Sequence, residues 1–304
     1  MNSQSDVVPE SFDSQRVAPT TLAATRPFYC SVRRELWENR SIYVAPLAAA
    51  GVYLFGFLIS LIRLPQKMRA LSTLDPAHQR AAVTMPYEFA AGLIMATTLI
   101  VAVFYCLEAL HGERRDRSIL FWKSLPVSDM TTVLSKAMIP IVILQLVAFA
   151  VTFATQWIML LLSSAVLLGS GMNVATLWAQ VSLFRMSLML LGHLLIMHGL
   201  WYAPVYAWLL LVSAWARRAA FLWAVLPWLT IFAVEKVAFN TSYFAAMLGH
   251  HFGGGGKAVG SQGMSPIIGV QFSSLSGPGF WIGLAFAAIF LGAAVRVRRY
   301  QGPI

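Results

Sequence analysis

A chain of 304 residues that is 58% hydrophobic and 11% charged, with a mean hydropathy of +0.69, has too little polar surface for a soluble domain, where about a quarter of residues are charged. The net charge of +10 does not mark a nucleic-acid-binding protein. Its Lys and Arg residues cluster beside apolar runs, where they orient membrane segments and touch anionic lipid. Cys30 and Cys106 lie far apart with no CxxC partner, which argues against a metal or redox centre built on thiols.

Residues 1–25 are polar, rich in Ser, Thr and Pro, and lack the apolar core of a secretory signal; they read as a disordered cytoplasmic tail. From residue 26 to 40, Phe28, Tyr29, Val32, Leu36 and Trp37 alternate with Arg33, Arg34, Glu35, Glu38 and Arg40. That pattern suits an amphipathic helix lying in the membrane interface, with a solvated juxtamembrane segment as the plainer alternative. Six apolar runs follow, at 41–62, 86–110, 130–168, 181–215, 219–234 and 280–295, near or above the ~20 residues that cross a bilayer as a helix. The expected fold is all-α: a polytopic membrane protein with six transmembrane helices, forming one domain over 26–304.

A polar loop with Arg63, Lys67, Arg69 and Arg80 separates the first two spans. The third, at 1.5 Å rise per residue, overshoots the ~30 Å hydrocarbon core and must tilt, kink at Pro140 or project beyond it. The fourth is also over-long and contains Pro204, and Arg217 with Arg218 makes a very short turn into the fifth. Residues 235–279, with His250, His251 and the run Gly253 to Gly256, read as an extracytoplasmic loop whose short helices can re-enter the membrane. Most Lys and Arg fall on the side of the termini if both termini are cytoplasmic, which favours that orientation, although the basic first loop runs against it.

The stretch "ERRDRSILFWKSLPVSD", Glu113 to Asp129, lies between the second and third spans on that cytoplasmic side. On a helix, Glu113, Asp116, Arg117, Lys123 and Ser124 share one arc, with Phe121, Trp122, Leu125 and, less well, Ile119 on the other. Glu113 and Arg117 have the favourable i,i+4 order, Pro126 stops the helix, and Ser128 or Asp129 can cap the third span. Leu120 falls in the middle of the charged arc. It is either an isolated surface leucine or an apolar knob ringed by charges of both signs, as a docking surface would have.

The segment "FYCLEALHGERRDRSILFWKSLPVSDMTTVLSK" resembles the corresponding part of bacterial ABC transporter permeases of the ABC-2 family. So do "LWYAPVYAWLLLVSAWARRAAFLWAVLPWL" and "VEKVAFNTSYFAAMLGH". The resemblance implies an interfacial helix before the first span and a permease dimer in the bacterial inner membrane. It also implies a coupling helix between spans 2 and 3 that docks on a separate cytoplasmic ABC ATPase. On this chain that role falls to Glu113, Arg114, Arg115, Asp116, Arg117, Leu120, Phe121, Trp122, Lys123, Leu125 and Pro126, with Arg217 and Arg218 as the second cytoplasmic turn.

A P-loop needs G-x-x-x-x-G-K-[ST], and the nearest match, "GGGGKAVG", has Ala258 after Lys257 and the wrong spacing. ATP and Mg2+ would therefore be bound by the partner, and no cofactor is expected on this chain. His193 and His198, five residues apart, would sit about 140° apart on an α-helix, which disfavours a metal pair; they read instead as packing or pathway-lining histidines. Glu88 and Glu108, near opposite ends of the second span, are candidate pathway or structural carboxylates. The rival readings are an ion-coupled secondary transporter and, with no paired-Asp or GxSG-like motif inside a span, a membrane-embedded hydrolase.

Overall fold

The computed structural model describes residues 25–71, 75–119, 127–171, 173–181, 183–243, 246, 249 and 278–300, and all regular structure among them is helical. The expected N-terminal tail, the segment Leu120 to Pro126, and residues 250–277 of the expected extracytoplasmic loop lie outside the described residues. Six helical segments are long and apolar enough to cross a membrane: Ser41–Leu61, His78–Arg115, Asp129–Gly169, Leu177–Trp201, Ala220–Phe239 and Pro278–Tyr300. This is the organisation of a multi-pass membrane protein.

Helix α1 (Thr25–Glu38) precedes α2 (Ser41–Leu61). The polar loop expected next is instead helical: α3 covers Leu64–Leu71, and α4 begins at Pro76 and runs to Ala109. The reason is apolar residues at helical spacing inside the charged sequence. Met68 and Val83 bury themselves with Tyr87, Leu160, Leu167 and Leu177, leaving the basic side chains outward. After the short α5 (His111–Arg115), α6 (Asp129–Met138) starts behind an N-cap at Ser128, whose hydroxyl accepts from Thr131 N at 3.0 Å.

The over-long third segment is broken by a π turn at Ile139–Ile143 before α7 (Leu144–Gly169). Pro140 has no N–H to continue the α ladder. Leu144 N–H donates to Ile139 O, five residues back, and Gln145 Nε2 donates to Pro140 O at 2.9 Å inside the distorted turn. A short α8 (Ala175–Gln180) leads to α9 (Leu183–His193), which passes through a second π segment, Leu194–Trp201, into α10 (Ala203–Trp215). The two π segments meet: a Cβ added to Gly199 would lie 2.5 Å from Ile141 O.

Helix α11 (Ala220–Val234) extends through a third π turn to Phe239, five residues beyond its expected end, and Asn240 in the left-handed conformation stops it. The last helix, α12 (Pro278–Tyr300), packs along α10 through small residues: Ala203, Ala207 and Ala287 are buried together, and Gly283 sits against Pro204. Small side chains let backbones approach closely where burial from lipid gives little driving force. Helix α10 thus runs through the centre, touching Ile42 of α2, Tyr105 of α4 and the first π turn in the largest apolar cluster. The outer faces of α2, α11 and α12 are apolar and exposed, as at Phe55, Leu222 and Ile289.

Candidate functional site

The charged residues concentrate at one end of the bundle, where α1, α5, α6 and α12 converge. Lys136, on α6, places its Nζ 2.7 Å from Glu35 Oε1 of α1 and 3.1 Å from Glu113 Oε1 of α5. The second contact is an ion pair off the hydrogen-bond direction. Arg298, on α12, bridges Glu113 Oε2 at 3.0 Å and Asp129 Oδ1 at 3.2 Å. Tyr105 OH of α4 donates to Glu35 Oε2 at 2.9 Å, and Arg34 Nη1 stands 4.0 Å from Glu113 Oε1. Glu35, Glu113, Lys136 and Arg298 are 3%, 7%, 2% and 4% exposed. Charges so buried are tolerated only when paired, and breaking one pair leaves the rest uncompensated.

A second set of bonds ties α5 to the far end of α10. Ser213 Oγ accepts from Leu110 N at 3.0 Å and from His111 N at 2.9 Å, where α4 gives way to α5. Arg114 Nη1 donates to Ala214 O at 2.6 Å and to Ala216 O at 3.3 Å, and His111 Nδ1 is 3.2 Å from Ala216 O. The turn carrying the exposed Arg217 and Arg218 is therefore latched to the α4–α6 connection. Replacing Ser213 with Ala is expected to destabilise the protein by about 0.5–2 kcal/mol, the cost of losing a helix cap. Ser213→Thr, which keeps the hydroxyl, should retain most of it; thermal unfolding in detergent measures both.

The expected continuous helix from Glu113 to Pro126 does not form across its first part. Asp116 ends α5, and Arg117 has φ +58°, in the left-handed region that interrupts a helix. Glu113 and Arg117 therefore do not form the expected i,i+4 pair. Glu113, placed by periodicity on the charged arc, is buried within the chain, and so is Arg114. Arg115, Asp116 and Arg117 are the exposed residues of the group, and Ile119 is buried. Leu120, Phe121, Trp122, Lys123, Leu125 and Pro126 lie outside the described residues.

The remaining candidates fall elsewhere. Glu108 pairs with Arg115 at 2.8 Å on the surface of the charged end. Glu88, half-buried on α4, stands far along the same helix and does not join the cluster. His193 and His198 belong to α9 and the second π segment, with ring centroids 5.5 Å apart. Glu35, Tyr105, Asp129, Lys136, Arg298 and Ser213 were missed by sequence reasoning as members of a site. The signal was present in Lys136, a lone cation entering an apolar span, which demands a partner.

The cluster fastens α1, α5, α6 and α12 into one charged knot and leaves Arg115, at the end of α5, with Asp116 and Arg117 outside it. Among the described residues no group of three or more His, Cys, Asp and Glu gathers at metal-binding distance. No protein-family model matches this chain, and neither a curated protein nor a solved structure is significantly similar to it.

Proposed function

We propose that this chain is the membrane-spanning permease subunit of an ATP-driven ABC exporter, working as a dimer in a bacterial inner membrane with both termini in the cytoplasm. A separate ATPase supplies the energy. The observation that carries the reading is the buried ionic knot. Glu113 and Arg114 stand directly before the exposed Arg115, Asp116 and Arg117 and are bonded to α6, α12 and the end of α10. A push on the loop would therefore move the ends of several spans as a unit. The segment resembling ABC-2 permeases contains these residues, and the sequence's nearest approach to a P-loop, "GGGGKAVG", fails the pattern.

In this mechanism ATP binding closes the ATPase pair against the loop. The knot passes the displacement to α4, α6 and α12, and the permease dimer interface shifts between two states. ATP can drive that shift only through its differential binding to the two states. Arg115, Asp116 and Arg117, with the sequence that follows them from Leu120 to Pro126, are the docking surface in this reading, and Arg217 with Arg218 is the second contact.

Site-directed photocrosslinking tests the reading. A photoreactive residue in place of Arg117 is expected to capture a soluble nucleotide-binding protein in whole cells, while one in place of Phe55, on the apolar outer face of α2, captures none. Leu120→Asp, with a photoreactive residue at position 117, should reduce the yield without reducing the amount of chain in the membrane. Capture of no protein at position 117 would refute the docking surface.

A further inference from the structure

We propose that His193 and His198 form a two-imidazole site for a late first-row divalent metal ion, of the class of Cu2+, Ni2+ or Zn2+. The π segment makes this possible. On an α-helix residues five apart diverge by about 140°. A π turn closes its hydrogen bonds from i to i+5 and brings such residues onto one side. Here the two rings stand 5.5 Å apart between centroids with an interplanar angle of 57°. Two imidazoles sharing one tetrahedral metal, with bonds of about 2.0–2.1 Å, have centroids roughly 5 Å apart, close to the separation of these two rings.

Three further features fit a ligand. His193 Nδ1 is shielded and makes no hydrogen bond in the structure, so a lone pair or proton there is unmatched. The Tyr202 ring lies 5.7 Å from that of His198, and its phenol is the third donor we assign. The backbone beneath is fixed, because Tyr206 OH donates to His198 O at 3.0 Å and Gly199 is pressed against Ile141 O. Imidazole suits Cu2+, Ni2+ and Zn2+, with Cu2+ the tightest of the three at a given nitrogen site. The site is independent of the ATPase reading, since it needs only the π segment and the two rings.

The test uses the full chain in lipid nanodiscs, without a polyhistidine tag, titrated with Cu2+ and with Ni2+. A variant lacking three of the other histidines (His78→Gln, His250→Gln, His251→Gln) leaves the segment untouched. It is expected to bind one Cu2+ per chain, with an electron paramagnetic resonance spectrum showing coupling to two imidazole nitrogens and a weaker Ni2+ isotherm. Adding His193→Ala or His198→Ala should weaken binding by roughly 100-fold or more, at or beyond the loss from removing an outer-shell partner. Tyr202→Phe should bind more weakly but keep both nitrogen couplings. If the three-histidine variant binds no Cu2+, or if binding survives the loss of His193 and His198, the proposal is wrong. The first outcome does not depend on whether the alanine variants fold.

Discussion

Replacing Lys136 with Met is expected to destabilise the protein by about 3–5 kcal/mol, the cost of breaking a buried ion pair by removing one partner. Among the described residues Lys136 is the cation that bridges Glu35 and Glu113, at 2.7 and 3.1 Å. Without it, among the described residues, Glu35 keeps only neutral donors, Tyr105 OH and the Asn39 amide, and Glu113 relies on Arg298 and the distant Arg34. The second substitution Glu35→Gln in the same chain removes one of the stranded charges. It should recover part of the loss, leaving a coupling between the two positions within about 0.5–3 kcal/mol. The midpoint of unfolding in detergent, compared across the two single variants and the double variant, measures this. A loss for Lys136→Met no larger than that for the exposed Arg117→Met would show that the knot contributes nothing to holding the helix ends.

The second large effect is expected at Gly199. A methyl group there would stand 2.5 Å from Ile141 O, a backbone atom held inside the first π turn. A carbonyl cannot rotate away as a side chain would, so Gly199→Ala must push the third and fourth segments apart. The expected loss is about 1–3 kcal/mol, the range for overpacking. Gly92→Ala is the control, since a Cβ on that residue meets nothing within 4 Å on its long helix. It should be neutral or stabilising by up to about 1 kcal/mol, because Gly weakens a helix interior. Equal behaviour of the two variants in thermal unfolding would mean that the π segments are not in close contact.

The membrane class and the six apolar segments were legible because length and composition suffice for them. Periodicity failed where the helix was not an α-helix. The i,i+5 histidines were set about 140° apart by the 3.6-residue repeat, and only the π segment, which the sequence does not announce, brings their rings together. Pro140 gave a partial warning of the first π turn, since a proline inside a span must be absorbed by some distortion.

The charged end was misread for a different reason. Glu113 was assigned to a solvent-facing arc on the assumption that one helix ran to Pro126, whereas the left-handed Arg117 breaks it and Glu113 turns inward. Helix α1 shows the same inversion: it buries Glu35 and exposes Tyr29 and Trp37. A hydrophobic pattern cannot say which face meets lipid and which meets a buried cation. Partner identity across 101 residues, as between Glu35 and Lys136, is tertiary information.

The central claim, that this chain is driven by a separate ATPase, is tested most directly by isolating the full chain from its native membrane in mild detergent and assaying the product for ATP hydrolysis. A stoichiometric Walker-motif ATPase is expected in the complex, with hydrolysis that falls several-fold in Leu120→Asp while the amount of chain in the membrane is unchanged. A chain that is recovered without any nucleotide-binding partner, and whose transport survives ATP depletion but collapses with the ion gradient, would contradict it.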